Sequence, residues 1–274
     1  MAAMQYTLTL LLAAALAYGQ WFNQPARGVP RTPDGKPHLT APAPRANGKP
    51  DFTGLWQTNM AAPGEIEKLI PDLGKIVVPG DDPTTFSRYL FNVMADYAPD
   101  EITLSPEGKK DWELQQALSD ALGPRCLPTS LPMTELFPTP RRIVQSPALI
   151  AILYEGDLPR QIHMDGRKLP VNPNPAWVGY SIAKWDGDTL VVETVGLNPR
   201  APLDAFSHPR SEGMRLVERW RRRDFGHLET QVTIEDSKYY SKPITFRYTS
   251  TLVPDDDLLE WVCTENEKDK GHIK

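Results

Sequence analysis

The chain has 274 residues, of which 28 are proline and 18 glycine, and its formal net charge is −5. This length is enough for one or two domains with a sizeable core. The negative charge excludes the bulk basic field that would attract nucleic acid, and the many prolines argue against a helical bundle.

The first 19 residues are typical of a secretory signal. An apolar stretch from Thr7 to Leu16 is too short to span a bilayer comfortably, and Ala17-Tyr18-Gly19 offers small residues at the cleavage site. An uncleaved anchor or a buried helix is the alternative, since neither lysine nor arginine precedes the stretch. We expect a secreted or periplasmic mature chain without a membrane span.

Residues 20–50 are rich in proline, glycine and charge without any periodicity, which predicts an N-terminal arm that is either extended or loosely attached. Such a composition buries little apolar area, so limited proteolysis should cut there first. In residues 51–125, "PDFTGLWQ" resembles a short strand. A helix is predicted over 105–122, with Ser105 as N-cap and an apolar stripe. The stripe comprises Trp112, Leu114, Ala117, Leu118 and Ala121.

Residues 126–266 change character. Nine segments rich in Val, Ile, Tyr, Trp and Thr alternate with tight turn signals, and no helix pattern intervenes. The sequence therefore predicts a mainly β fold, in which an antiparallel meander closes into a lipocalin-like barrel preceded by the arm and one helix.

Two hairpins can be placed in register. Asp186-Gly187 predicts a two-residue turn that sets Trp185 opposite Asp188 and Tyr180 opposite Glu193. A three-residue loop over 224–226, with Gly226 in the left-handed region, sets Arg221 opposite Glu229, Arg215 opposite Glu235 and Glu218 opposite Val232. In this second register the arginines stay outside, whereas a slip of one residue would bury them.

The chain from about residue 50 onward resembles a group of secreted bacterial proteins of unassigned function that are common in Acidobacteria. The resemblance rests on "DFTGLWQ", "LSPEGKKDWE", "PRCLPTSLP", "RRIVQSPALIAILYEG", "RQIHMDGRKLP", "GYSIAKWDGDTLVVETVGLN" and "LVERWRRRDFGHLETQVTIED". It implies a lipocalin-like or related antiparallel barrel, and it implies no activity.

Glu218 is a carboxylate on a strand face that is otherwise apolar. Such a group is either a poised acid, base or ligand acceptor, or half of an internal ion pair with Arg222, Arg247 or Arg142. Glu193 resembles it, with Tyr180 opposite as a hydrogen-bond donor. A third interpretation places this face outside.

His208 lies in the loop "DAFSHPRSEG" beside serines and carboxylates, so it is a candidate for general acid–base work or an ordinary surface residue. His163 and Asp165 fit a tight turn better than a catalytic or metal site. The five histidines show no metal-ligand spacing, and no phosphate loop, nucleotide fingerprint or nucleophile elbow is present. We therefore predict no cofactor and no metal, with a metal site assembled from distant strands as the alternative.

Aromatic residues predict a pocket for an apolar or ring-bearing ligand, although any β core uses the same residues. The predicted ligand-binding residues are Trp220, Tyr180, Arg247 and Trp185. Because two cysteines in an exported protein favour a disulfide over a metal site, Cys126 and Cys263 are predicted to be bonded, with two buried thiols as the alternative.

These observations favour a secreted or periplasmic barrel that binds a small apolar or aromatic ligand, with Glu218 as its internal polar group. The alternative is a cofactor-free hydrolase, hydratase or isomerase that uses Glu218 or Glu193 with His208. A third hypothesis is a protein–protein or envelope module that makes contact through the arm. The sequence does not indicate an oligomeric state.

Overall fold

The computed structural model describes residues 26–62, 64–69, 86–122 and 127–259. Nine strands form a closed barrel in the order β10-β11-β3-β4-β5-β6-β7-β8-β9, and β1 and β2 form a separate ribbon in the arm. The mainly β barrel predicted from the sequence is confirmed. The strands are β1 Arg45–Ala46, β2 Lys49–Pro50, β3 Gly54–Thr58, β4 Arg141–Gln145, β5 Leu149–Tyr154, β6 Arg160–His163, β7 Tyr180–Asp186, β8 Thr189–Val195, β9 Arg215–Arg222, β10 His227–Glu235 and β11 Ile244–Leu252.

The barrel closes differently from the predicted meander. Its seam is β3, which pairs with both β11 and β4, so the barrel is not confined to 126–266. One neighbouring pair, β6 and β7, is parallel, because the connection over 164–179 carries the chain back along the barrel before β7 begins. Nine strands with one parallel pair also differ from the eight-stranded up-and-down barrel of lipocalins.

The hairpin of β9 and β10 has the predicted register. Glu218 lies opposite Val232 and Arg221 opposite Glu229, and Arg223 N–H donates to His227 O across the three-residue loop. The prediction of a left-handed Gly226 is wrong. Gly226 is needed instead because a Cβ there would lie 2.4 Å from the Cβ of Leu39, so the arm passes too close for any side chain.

The predicted register of β7 and β8 is wrong by two residues. Asp186 pairs with Thr189 and Trp185 with Leu190, so the loop is Gly187-Asp188 rather than Asp186-Gly187. Gly187 has φ +60°, which suits the turn type that places glycine first. The shift leaves unchanged which residues share a face, and it sets Ile182 rather than Tyr180 opposite Glu193.

The described helices are α1 Glu65–Leu69, α2 Arg88–Phe91, α3 Pro106–Leu122 and α4 Met133–Leu136, so several short helices accompany the predicted one. None of them is long and apolar enough to cross a membrane. Ser105 caps α3 by accepting from Gly108 N–H at 3.1 Å. The predicted stripe is buried only in part, since Trp112 is half-buried while Leu114 and Ala117 are exposed.

The described part of the arm, 26–50, is extended and fastened to the barrel. Arg31 pairs with Asp255, and Leu39 O and Ala41 O accept from the N–H groups of Gly226 and Phe225, each at 2.7 Å. Arg45 pairs with Asp188 at 2.8 Å. Of the two alternatives for the arm, these contacts favour the extended one.

Two apolar layers fill the barrel. We call them the helix-side layer, which packs on α2 and α4, and the arm-side layer, which packs on Leu39 of the arm. Leu216 on β9 and Val232 on β10 belong to the helix-side layer. Trp220 on β9 and Leu228 on β10 belong to the arm-side layer. One inward position, occupied by Glu218 and Thr230, separates the layers on these two strands.

Candidate functional site

A polar layer crosses the whole barrel between the two apolar layers. Each of the nine barrel strands contributes at least one polar side chain to it, and β11 contributes two. All of these side chains are buried except Tyr154, which is half-buried. The members are Thr58, Arg141, Tyr154, Arg160, Ser181, Thr194, Glu218, Thr230, Tyr248 and Ser250.

Glu218 faces this layer and is paired with Arg160. Both guanidinium NH groups of Arg160 donate to the carboxylate, and the Trp220 indole N–H donates to it at 3.3 Å. Burial would lower the pKa of Arg160, but the attraction of Glu218 outweighs burial and raises that pKa above its ordinary value. Arg160 also donates to Ser181 and Thr194, so its charge is compensated and its donors are bonded.

Glu135 on α4 enters the same layer and links its two cations. Its carboxylate lies 2.7 Å from Arg141 Nε and 3.3 Å from an Arg160 guanidinium nitrogen. The hydroxyl of Tyr154 donates to Glu135 at 2.5 Å, and burial, followed by the charge of Glu135, raises the pKa of Tyr154 well above its usual range. Two arginines and two glutamates thus form a neutral buried network.

The arginines predicted to pair with Glu218 lie elsewhere. Arg222 stacks on Trp56 and donates to backbone carbonyls, including those of Asp51 and Phe225. Arg247 is exposed and bonds Gln231, and Arg142 pairs with Asp257 at 2.6 Å. The sequence prediction of an internal ion pair was therefore right for Glu218 and wrong for its partner.

The Thr230 hydroxyl lacks a hydrogen bond of normal geometry. Thr230 is 2 % exposed, and its hydroxyl has no partner at such geometry among the described residues, although it lies near enough to Tyr248 to counteract part of the rise that burial causes in the pKa of Tyr248. It lies directly opposite Trp220 on β9 and Tyr248 on β11. A buried hydroxyl without such a bond costs free energy, which makes this position, opposite two aromatic residues, unusual within the barrel.

Three predicted site residues lie on the outer surface of the barrel. Glu193 is opposite Val217 and pairs with Arg215 at 2.7 Å, which lowers the pKa of Glu193. Tyr180 accepts from Arg167 at 3.2 Å, and Arg247 lies between two inward residues of β11. The expected inward placement of Glu193, and a shared pocket for Tyr180 and Arg247, are therefore wrong.

Trp220 and Trp185 do lie on the inner side, in the arm-side layer. Phe52 joins them, stacked on Trp185 with ring centroids 5.7 Å apart and meeting Trp220 edge to face at 5.8 Å. The structure thus brings Glu218, Trp220 and Trp185 to the interior.

His208 occupies a different place, the loop between β8 and β9. Its Nδ1 lies 2.7 Å from Oδ2 of Asp204, and its ring stacks on Trp112 with centroids 5.2 Å apart. Glu218 and His208 share no hydrogen-bond partner among the described residues, so the structure does not join them in one site. The sequence placed a carboxylate, Asp204, in the same loop as His208 but did not establish their contact; the i, i+4 spacing in "DAFSH" was a usable signal for it.

His163 and Asp165 lie at the end of β6. Asp165 pairs with Arg167 across the turn, which lowers the pKa of Asp165 to about 2. No group of three or more His, Cys, Asp or Glu residues in the described ranges is arranged to hold a metal ion.

Cys126 and Cys263, like residues 1–19, lie outside the described residues, and their bond stays a prediction. A disulfide closing so long a loop is worth about 4 kcal/mol in the chain-entropy model. We expect thiol titration of the unreduced, denatured protein to find no free thiol. Two titratable thiols would contradict the bond, and the reduced protein is the control.

No protein-family model, curated protein or solved structure matches the chain. The resemblance to secreted proteins of Acidobacteria therefore stays a prediction.

Proposed function

We propose that this protein is a secreted or periplasmic β-barrel that binds a small, mainly aromatic ligand carrying one hydrogen-bonding group. The observation that supports it is the unpartnered hydroxyl of Thr230 between Trp220 and Tyr248. In this proposal Thr230, rather than Glu218, bonds the polar group of the ligand.

The neighbours of Thr230 define the ligand. The positions on either side of it along the inner face of β10 are Leu228 and Val232, which belong to the two apolar layers. A molecule bound there would contact apolar and aromatic side chains over most of its surface. The Thr230 hydroxyl would bond one uncharged polar group of the ligand, which favours a phenol-like or alcohol-bearing ring over a charged compound.

The neutral network excludes Glu218 as the group that bonds the ligand. Its carboxylate is already bonded by Arg160 and Trp220, and a ligand could use it only by displacing one of them. Removing a partner from a buried ion pair costs several kcal/mol, more than one new hydrogen bond returns. Thr230 can accept or donate without breaking any bond of the two buried ion pairs.

The test is to measure binding of 2-naphthol and of naphthalene by fluorescence titration to the wild type and to Thr230→Val. Valine keeps the shape of threonine and removes the hydroxyl. We expect 2-naphthol to bind the variant roughly 3- to 10-fold more weakly, the effect of one lost hydrogen bond, and naphthalene to bind both proteins equally.

Thr194→Val is the matched control, because the Thr194 hydroxyl accepts from Arg160 at 3.0 Å and pairs with Ser181 at 2.8 Å. It should lower the free energy of unfolding by about 1.5 to 3 kcal/mol, because the buried guanidinium of Arg160 loses an acceptor, and leave 2-naphthol affinity unchanged. Thr230→Val should lower it less, since the Thr230 hydroxyl makes no hydrogen bond of normal geometry. Equal 2-naphthol affinity in wild type and Thr230→Val, or no binding at all, would contradict the proposal.

A further inference from the structure

The loop between β8 and β9 holds an Asp–His pair that the proposed binding function does not use. Its backbone is closed by Leu203 N–H donating to His208 O at 2.8 Å and is attached to α2 by Ala205 N–H donating to Leu90 O at 2.8 Å. Ser207 has φ +61°, a left-handed conformation that costs free energy in a residue other than glycine. A rigid loop with such strain is typical of functional positions.

Asp204 is fixed in place by backbone hydrogen bonds. It is fully buried, and its carboxylate accepts the backbone N–H groups of Val93 at 2.8 Å, Phe206 at 3.0 Å and His208 at 3.2 Å. These bonds fix the direction of the carboxylate. Its Oδ2 therefore faces Nδ1 of His208 in one defined geometry.

This geometry determines which nitrogen of His208 can accept a proton. Both oxygens of Asp204 act as acceptors toward backbone N–H groups, so Nδ1 of His208 is the donor in its contact with Oδ2 and, in the neutral ring, Nε2 holds the free lone pair. Trp112 stacks on one face of the ring, and Phe206 approaches its edge with centroids 6.4 Å apart. In the described ranges Nε2 has no hydrogen-bond partner, so it is the nitrogen left for a reactant.

A second pair in the chain shows what is particular to His208. His227 Nδ1 lies 2.6 Å from Asp224, but its side chain is 23 % exposed, whereas that of His208 is 6 % exposed. Asp224 is also shared with Arg223 at 3.1 Å, while Asp204 has no salt bridge to Lys or Arg among the described residues. His208 thus faces a buried carboxylate that forms no salt bridge to Lys or Arg among the described residues, which is the arrangement that orients a general base.

We infer that Asp204 and His208 form a proton-transfer site that hydrolyses small acyl esters. In the first step Nε2 takes a proton from water as the water oxygen bonds to the acyl carbon and the π electrons of the carbonyl move onto the carbonyl oxygen. In the second step that oxygen re-forms the carbonyl double bond, the carbon–oxygen bond to the leaving group breaks, and the leaving oxygen keeps the bonding electrons and takes the proton back from the imidazolium. Asp204 touches no reacting atom and acts as a positioning residue.

The test is hydrolysis of 4-nitrophenyl acetate by the full chain, followed as release of 4-nitrophenolate. We expect protein-dependent hydrolysis that falls at least ten-fold in His208→Gln and stays within two-fold of wild type in His227→Gln. An unchanged rate in a folded His208→Gln, an equal loss in both variants, or no protein-dependent hydrolysis in the wild type would overturn the inference.

The imidazole ¹⁵N spectrum of the wild type tests the pair even if the variant does not fold. It should show His208 with a protonated Nδ1 and an unprotonated Nε2 at neutral pH, and the opposite tautomer would overturn the inference. In Asp204→Asn the side-chain amide donates to Nδ1, so the tautomer should reverse together with loss of hydrolysis, a change that a purely structural aspartate would not produce.

Discussion

Glu218→Gln is expected to lower the free energy of unfolding by about 3 to 5 kcal/mol, measured by urea denaturation at neutral pH. The substitution keeps the size of the side chain but removes the charge that compensates Arg160, which is fully buried. Glu135 lies 3.3 Å away and already serves Arg141, so it cannot neutralise both cations. The polar layer would then enclose one unpaired positive charge.

Glu193→Gln is the matched control, because Glu193 pairs with Arg215 on the outer surface, where water screens the charges. We expect a loss below about 1 kcal/mol there. Replacing both partners, Arg160→Met with Glu218→Leu, should recover much of the stability lost in Glu218→Gln, because it leaves neither charge alone. A Glu218→Gln protein as stable as Glu193→Gln would contradict the buried ion pair.

Gly226→Ala is expected to detach the arm and to lower the free energy of unfolding by about 1 to 3 kcal/mol, the usual cost of overpacking. The new methyl group would lie 2.4 Å from Leu39 Cβ and 2.9 Å from Leu39 Cα, so the arm backbone itself must move. Limited trypsin digestion, followed by mass spectrometry, should show faster cleavage within residues 26–50 than in the wild type.

Gly213→Ala controls for the added methyl group. A Cβ there meets only the Ser211 hydroxyl, at 3.7 Å, and we expect wild-type stability and an unchanged cleavage pattern. If Gly226→Ala leaves both the stability and the arm cleavage rate unchanged, the arm is not held at Leu39. If wild-type cleavage in the arm is already as fast as in the variant, the arm is loosely attached in solution.

Alternation along the strands was enough to predict much of the barrel. In β9 and β10 the outer arginines and glutamates permit only one register, and that register placed Glu218 inside. The same alternation identifies Arg160 as an inward-facing residue, because Ile162, two residues later on β6, faces the core. It also separates Tyr180 from Trp185, which differ in parity and so face opposite sides.

Other features depend on contacts that no local pattern encodes. Glu135 lies on the four-residue helix α4, too short for periodicity, and reaches the interior only because the chain around it packs against the barrel. The parallel pairing of β6 with β7 follows from the path of the 164–179 connection. The missing partner of Thr230 is visible only once all nine strands are in place.

The polar layer also bears on how the barrel assembles. Arg141 and its partner Glu135 are only six residues apart in sequence. Arg160 and Glu218 are 58 residues apart, and Thr58 and Ser250 are 192 residues apart. In a partly built barrel that excluded water, Arg160 would be buried without its counter-charge. The free-energy cost of burying that charge would exceed the gain from the apolar contacts at the same position. We therefore expect the early strands to stay hydrated until β9 is in place, and the barrel to exclude water and close in one cooperative, slow step governed by contacts distant in sequence.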